Sequence, residues 1–136
     1  MLMPHPGIPS VVADEEAGIG MAMRHLLELG HRRIGFLVGA GSWDWHHESR
    51  LAAYRDGLRA AGIEPLPRWV RHLLFEFPAD TGFQGSGYRR MGEWLREGWR
   101  DLGLTALLTQ NDQAAMGVIA ALHEAGFRVP EDVSVV

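Results

Sequence analysis

The amino-acid sequence predicts an α/β fold in which a mainly parallel sheet lies between two layers of helices. Short β-branched or apolar runs alternate with longer amphipathic stretches along the 136 residues, and this alternation is typical of parallel sheets. Hydrophobic residues make up 46% of the chain and charged residues 22%, which is enough apolar material for a packed core. Single domains commonly have roughly 100 to 150 residues. One domain is therefore expected over residues 1–136.

The first elements are a short apolar run and an amphipathic helix. The run covers residues 8–13 (IPSVVA), and Asp14 follows it as a helix N-cap with two glutamates directly behind. Gly30 is placed where a left-handed residue would end this helix. Apolar residues at helical spacing predict the buried face, which consists of Ile19, Ala22, Met23, Leu26 and Leu27.

The next unit is a strand followed by a loop and a helix. Residues 34–38 (IGFLV) form an apolar run of strand length that is suited to burial on both faces. The loop at 39–47 (GAGSWDWHH) is rich in side chains that can bind a ligand. A helix is expected from about 47 to 61, and Gly62 supplies its end.

A third unit begins with a strand predicted at residues 70–75 (VRHLLF). The glycine-containing stretch behind it is expected to remain a loop until Ser86 caps a helix with Tyr88, Met91 and Leu95 on its inner face.

The last unit has a strand at 104–109, a helix at 113–125 closed by Gly126, and a strand that begins at Val133. The chain stops inside that strand, so the sequence is expected to be a fragment.

Composition and charge disfavour several classes of function. Thirteen Lys and Arg stand against 17 Asp and Glu, and the resulting charge of −4 disfavours binding to a nucleic-acid backbone. The absence of cysteine removes disulfides, thiolate metal sites and cysteine nucleophiles. No apolar run approaches the roughly 18 to 20 residues of a bilayer span, and the first residues lack a signal-peptide pattern. A cytoplasmic, soluble protein is expected.

Five ordered motifs carry a resemblance to a known family. They are IPSVVAD at 8–14, HLLELGHRRIGFLVG at 25–39, SRLAAY at 49–54, QNDQAAMG at 110–117 and LHEAGFRVPEDVSVV at 122–136. Together they resemble the effector-binding core of the lactose/galactose repressor family of bacterial transcription regulators. The resemblance implies the second lobe of a core similar to periplasmic sugar-binding proteins, with the DNA-binding domain and the first lobe absent from the chain.

Two residues are implied as effector contacts by this resemblance. Arg50 matches an arginine that points into the interlobe cleft, and a guanidinium can bind two hydroxyl or carboxylate oxygens at once. Asn111 follows a strand at the edge where open α/β sheets bind ligands, and its amide both donates and accepts hydrogen bonds. Both are expected to face one solvent-open cleft, while Asp112 is expected to cap the following helix. A solvated helix arginine and a purely capping asparagine are the alternatives.

Aromatic residues in the loops behind two strands are candidates for the apolar walls of the same cleft. Trp43, Trp45 and Phe77 could stack on a sugar ring, although a small core beneath the loops would use the same residues. Asp44 is assigned to the polar rim of the pocket. The family's glycine-aromatic motif matches either the pair at 82–83 or the pair at 87–88, and spacing to Asn111 favours the second.

Metal and cofactor sites are less well supported. Asp44, His46, His47 and Glu48 are metal-ligand types, but adjacent histidines seldom point at one ion and no further cluster supports them. Residues 39–42 (GAGS) lack the third glycine of a dinucleotide fingerprint. No cofactor is expected. The basic group around residues 24–33 is assigned to the helix C-terminus, where the dipole favours cations.

The last helix is predicted to form a dimer contact. Its inner face is Ala115, Val118, Ile119, Leu122 and Ala125. Met116, Ala120 and His123 lie on another side, and the family resemblance implies that this side contacts a second copy. The alternative is that Met116 rests on a neighbouring loop.

The favoured function is effector sensing without catalysis, in a homodimeric regulator that binds a small sugar-like metabolite and reaches DNA only through a domain outside this chain. One lobe of a sugar-transport receptor is the first alternative. An α/β enzyme with Ser42 or Ser49 beside His46 or His47 is the second, and no nucleophile elbow or phosphate loop supports it.

Overall fold

The computed structural model describes residues 7, 9, 11–39, 47–73 and 82–136. Strands and helices alternate over most of this part of the chain. In chain order the elements are α1 (Glu15–Glu28), β1 (Ile34–Gly39), α2 (His47–Ala60), a 3₁₀ turn (Pro67–Trp69), β2 (Val70–Leu73), α3 (Gly82–Arg96), α4 (Trp99–Leu102), β3 (Ala106–Thr109), α5 (Asp112–Glu124) and β4 (Ser134–Val135).

The four strands form one parallel sheet in the order β2-β1-β3-β4. Phe36 of β1 is in register with Val70 of β2 and with Leu108 of β3. On the far side of β3, Ala106 is in register with Ser134 of β4. Parallel strands need helical crossovers between them, and α2, α3 and α5 follow β1, β2 and β3 in that role. The predicted α/β class is confirmed.

Helices cover both faces of the sheet. The ring of Phe36 packs against Tyr54 of α2, with ring centroids 5.3 Å apart. The preceding residue, Gly35, faces Trp94 of α3, and a Cβ added there would lie 3.3 Å from the indole. Because successive strand residues point to opposite faces, α2 and α3 lie on opposite sides of the sheet. Helix α1 packs on α2 and α5 packs on α3, which completes the three predicted layers.

The core is made of large apolar side chains from every strand except β4 and from both helix layers. Tyr54 is fully buried, and its hydroxyl donates to the Ile34 carbonyl at 2.7 Å. Burial raises the pKa of Tyr54 far above its usual range. Trp94 and Trp99 meet edge to face with centroids 4.7 Å apart, so α4, which the sequence pattern does not predict, is anchored to α3 by an aromatic contact.

The first apolar run forms no strand over residues 11–13, and Val11 is 93% exposed. Behind it, α1 begins as predicted, because the Asp14 carboxylate accepts from the Ala17 backbone N–H at 3.0 Å. Gly30 has a φ of +93°, which is the left-handed conformation predicted for the end of this helix. Among the described helices, none combines the length and apolarity needed to cross a bilayer.

Helix α3 differs most from its prediction. It begins at Gly82, so Ser86 lies inside the helix, is 4% exposed, and does not cap it. Tyr88 is 39% exposed and not on the inner face, which Met91 and Trp94 occupy. The reason is that Gly87 lies against the backbone of α5, and this contact sets the rotation of α3.

Histidine and arginine side chains tie the amino edge of the sheet together. His31 contacts the Thr105 hydroxyl through Nδ1 at 2.9 Å and the Ser134 hydroxyl through Nε2 at 3.1 Å, thereby linking the starts of β1, β3 and β4. Arg32 donates to the Leu27 carbonyl at 2.9 Å, at the C-terminal end of α1. Both contacts agree with a structural role for this basic group.

Candidate functional site

The candidate site lies at the carboxyl ends of β1 and β3, which are neighbours in the sheet. Helix α2 begins at His47 after β1 and carries Arg50 in its first turn, while Asn111 stands between β3 and α5. In open α/β sheets ligands bind outside the carboxyl ends of the strands. The two predicted contact residues therefore lie at the same edge of the sheet, on adjacent strand–helix units.

Arg50 is almost fully covered, contrary to the expectation of a guanidinium facing open solvent. The residue is 6% exposed, and its Nε donates to Oε2 of Glu15 at 2.9 Å. Glu15 is the first residue of α1, and α1 packs on α2, so the first turns of the two helices are neighbours. The N-terminal end of a helix favours a carboxylate, which makes this position suitable for an ion-pair partner. No local signal in the sequence marks Glu15 as the partner of Arg50.

Asn111 caps α5, so the prediction that Asp112 does so is wrong. Asn111 has extended backbone angles, and its Oδ1 accepts from the Ala114 backbone N–H at 2.9 Å. Asp112 is the first helical residue and is exposed. Because the oxygen of Asn111 is engaged in the cap, a ligand at this edge would meet its amide nitrogen as a donor. Capping and ligand contact are compatible in one side chain.

Gln110 connects the two strand ends. Its Oε1 accepts from the backbone N–H of Gly39 at 2.6 Å, across the gap between β3 and β1. This contact fixes the path of the chain on both sides of the sheet edge, directly before Asn111. The residue lies in the QNDQ motif, but nothing in the sequence indicated which strand end it would reach.

Two histidines meet beside the carboxyl ends of strands β1 and β2. The rings of His47 and His72 lie 5.0 Å apart between centroids. Burial, and after it the charge of His47, lowers the pKa of His72. The Nδ1 atoms of both rings and the Ser86 hydroxyl are buried and have no hydrogen-bond partner within the described residues. Buried polar atoms are usually paired, so these three atoms are unusual within the described part of the chain.

Several predicted site residues lie outside the part of the chain that the structure describes. They are Trp43, Asp44, Trp45 and Phe77, together with His46 of the considered metal cluster. Within the described residues, no group of three or more metal-ligating side chains occurs. His47 Nε2 and Oε1 of the adjacent Glu48 lie 3.9 Å apart, and the Glu48 carboxylate is exposed.

The predicted dimer residues lie on the outer side of α5. Met116 is 57% exposed, and Ala120 and His123 are exposed on the same helix. Tyr88 of α3 is also exposed, and its backbone N–H lies 2.6 Å from a Cβ added at Gly117. Two large exposed side chains, Met116 and Tyr88, therefore stand on either side of the point where α3 crosses α5.

Comparison with known proteins identifies the family. A profile described as a periplasmic binding protein-like domain matches residues 23–136. The chain is 34% identical over 133 residues to the HTH-type transcriptional repressor PurR of Haemophilus influenzae (strain PittEE), covering 96% of this chain and 36% of the relative. It is 33% identical over 129 residues to the lactose operon repressor of Escherichia coli (strain K12), covering 95% and 32%.

A solved structure supports the same family. The crystal structure of a sugar-binding transcriptional regulator of the LacI family from Escherichia coli, complexed with phosphate, matches with a TM-score of 0.79 and 31% identity, covering 93% of this chain and 42% of that one. The chain therefore belongs to the periplasmic binding protein-like domain family. Within it, the chain is part of an effector-binding core of the LacI family.

The chain spans about a third of the length of these curated relatives, namely 36% and 32%. All three neighbours are transcription regulators, which favours the regulator over the transport receptor and over an enzyme.

Proposed function

We propose that this chain is the effector-sensing lobe of a bacterial transcription regulator and that it contributes one half of a cleft for a small sugar-like metabolite. Its ligand contacts are Arg50 and Asn111, with Asp44 and the aromatic residues Trp43, Trp45 and Phe77 along the rim. A second lobe would close over the ligand, and DNA would be read by a domain outside this chain. Such a regulator acts in the cytoplasm, where its DNA lies.

One observation carries the proposal, namely that Arg50 and Asn111 follow the carboxyl ends of the neighbouring parallel strands β1 and β3. A guanidinium and an amide supply several N–H donors, which suits a ligand rich in hydroxyl acceptors. Relatives described as a sugar-binding regulator and as the lactose operon repressor support a sugar as the ligand class. Ligand binding would then shift the balance between open and closed arrangements of the two lobes.

Titration of this chain with neutral sugars, followed by amide NMR shifts, tests the proposal. A single lobe supplies only part of the contacts, so we expect weak, millimolar binding that perturbs amides at the carboxyl ends of β1 and β3. Asn111→Ser should weaken binding, because serine retains a capping oxygen and removes the amide nitrogen. Shifts at the opposite edge of the sheet, or unchanged affinity in a correctly folded Asn111→Ser variant, would contradict the proposed site.

We also propose that the regulator is a homodimer through the outer side of α5, at Met116, Ala120 and His123. Two large exposed side chains, Met116 of α5 and Tyr88 of α3, lie near the crossing of these helices. Substitution Met116→Lys should shift sedimentation toward monomer. Met21→Lys is the matched control, because Met21 is 65% exposed but lies on α1 in the opposite helix layer. An equal response of the two variants would argue against this surface.

A further inference from the structure

The Glu15–Arg50 pair bears on which effectors the proposed site can accept. Its atoms Oε2 and Nε lie 2.9 Å apart, and the side chains are 25% and 7% exposed. A charged hydrogen bond at this distance in a covered position is little weakened by salt. The positive charge of Arg50 is therefore offset by a carboxylate from another helix before any ligand arrives.

The helix starts nearest to Arg50 add negative charge, whereas Arg90 and Arg55 bring positive charge to the β2 side of the same edge. In the described part of the chain, acidic residues cluster at the starts of the helices that begin there. They are Asp14, Glu15 and Glu16 at α1, Glu48 at α2 and Asp112 at α5. In the described residues, Arg50 is the arginine of those same first turns, and His47 lies three positions before it in α2. An anionic ligand would meet like charge here, and like charges disfavour binding.

An uncharged hydroxyl-rich ligand avoids this repulsion. It accepts hydrogen bonds from a guanidinium without needing the full positive charge, since a neutral oxygen is also a good acceptor. A carboxylate or phosphate on the ligand would instead compete with Glu15 for the same cation.

We infer that Glu15 is a specificity-determining residue, which offsets the charge of Arg50 so that the site accepts uncharged polyols and rejects acidic or phosphorylated analogues. This inference rests on the proposed function, because it takes Arg50 as an effector contact. Glu15 acts through Arg50 and is a positioning residue.

The test compares Glu15→Gln with Glu16→Gln in the full 136-residue chain. Both changes remove one carboxylate from the first turn of α1, but only Glu15 is paired with Arg50. The probes are galactose and galacturonate, which differ mainly in one carboxylate, together with inorganic phosphate. Affinities are measured by NMR titration at fixed ionic strength.

In the unmodified chain, galactose should bind more tightly than galacturonate. Glu15→Gln should raise the affinity for galacturonate and phosphate roughly tenfold, as expected for one charge contact of a few ångströms. Affinity for galactose should change in Glu15→Gln by a smaller factor than affinity for either anion, and Glu16→Gln should leave the preference near that of the unmodified chain. Loss of the preference in Glu15→Gln alone supports the inference.

A second variant separates specificity from stability. Glu15→Gln combined with Arg50→Gln removes both charges, so any gain in anion binding should disappear. If Glu15→Gln fails to fold, the unmodified chain decides the matter: a preference for galactose supports the inference, and a preference for galacturonate contradicts it.

The outcomes distinguish the two proposals. If the unmodified chain binds galactose but prefers galacturonate, or if Glu15→Gln and Glu16→Gln change the preference equally, the role of Glu15 is wrong and the proposed function stands. If no sugar perturbs the carboxyl edge of the sheet, the proposed function itself is wrong.

Discussion

The two helix pairs that cover the sheet are packed in different ways. Helices α3 and α5 approach until their backbones touch, because a Cβ added at Gly117 would lie 1.9 Å from the Gln84 carbonyl oxygen. A Cβ added at Gly87 would lie 2.4 Å from the Ala114 carbonyl oxygen. No real side chain fits at such distances, so glycine at both positions is a condition for this contact.

Helices α1 and α2 meet through side chains and leave space between them. Gly57 approaches the Met23 side chain, and a Cβ added there would lie 3.0 Å from Met23 Cβ. A groove of about 550 Å³ runs between the two helices. At the carboxyl edge of the sheet their contact is the ion pair between Glu15 and Arg50. One layer is thus held by backbone contact, whereas the other is held by side-chain packing and by a charged pair close to the proposed ligand.

The difference indicates how the two layers divide their roles. The α3–α5 layer presents the proposed dimer surface, which needs a fixed geometry, and close glycine packing provides it. The α1–α2 layer carries Arg50 and its counter-charge, where side-chain chemistry matters more than close approach.

The largest effect is expected for Gly117→Ala, which should lower the free energy of unfolding by about 3 kcal/mol or more, because the added methyl group meets backbone atoms that cannot turn away. Urea unfolding followed by circular dichroism measures the loss. Gly92→Ala is the control on α3, since the nearest atom to a Cβ there is Arg96 Nη1 at 3.6 Å. A loss below about 1 kcal/mol for Gly117→Ala would show that the helices separate easily and that the two layers are alike.

Glu15→Gln should have the next largest effect, a loss of about 2 kcal/mol, because it removes a carboxylate that is paired with the covered Arg50. The loss is smaller than for a fully buried pair, since the Glu15 side chain keeps 25% exposure. Urea unfolding at low and high salt should give similar losses. Asp56→Asn is the control, because Asp56 and Arg59 form an exposed pair at 3.2 Å in α2, for which less than about 0.5 kcal/mol is expected. Equal losses of stability in the two variants would contradict the claim that the Glu15–Arg50 pair holds α1 and α2 together.

Gly20→Ala should increase stability by about 0.5 to 1 kcal/mol. Gly20 lies inside α1 and lines the groove, and an added Cβ would have no atom within 4 Å. The gain comes from a smaller loss of backbone freedom on folding, and thermal unfolding measures it. If Gly20→Ala lowered stability instead, the space beside Gly20 would be occupied in solution. Helices α1 and α2 would then be packed as closely as α3 and α5.

The smallest effect concerns pH and belongs to the α2 side of the sheet, where His72 meets His47. Burial lowers the pKa of His72 below 6.5 in the folded chain. As pH falls from 6.5 toward the lower pKa of the folded chain, the unfolded chain binds more protons than the folded chain, so the free energy of unfolding decreases. Below the pKa of the folded chain, both states are protonated at His72 and the free energy of unfolding decreases no further on its account. Above 6.5 the residue contributes no pH dependence.

Unfolding measured between about pH 5 and 8 should therefore show a slope that His72→Gln reduces. His25→Gln serves as the control, because His25 is exposed at the end of α1. Identical slopes in the unmodified chain and in His72→Gln would mean that the ring is not desolvated.

Local signals predicted much of the fold. Asp14 and Gly30 marked the ends of α1, and the apolar run at 34–38 marked β1, because caps, left-handed glycines and buried strands act over a few residues. The apolar run at 104–109 likewise placed Asn111 at a strand end. The cap was assigned one residue too late, since Asn and Asp are equally good caps and only backbone angles distinguish them.

The start of α3 was not predictable in this way. Ser86 has the residue type of an N-cap, but the contact of Gly87 with Ala114 requires helix on both sides of it. A contact across 27 positions leaves no trace in local spacing. The same holds for Arg50, whose partner Glu15 lies 35 positions away on another helix.

By itself, the amino-acid sequence determined the succession of strands and helices, the family, and the edge of the sheet at which Arg50 and Asn111 lie. Those features depend on periodicity, on capping residues and on motifs that are contiguous in the chain. Only the tertiary structure decided that Arg50 is covered and paired, that Gln110 joins two strand ends, and that two helices touch at Gly87 and Gly117. These features depend on which distant segments become neighbours, and that is settled when the two helix layers close on the sheet.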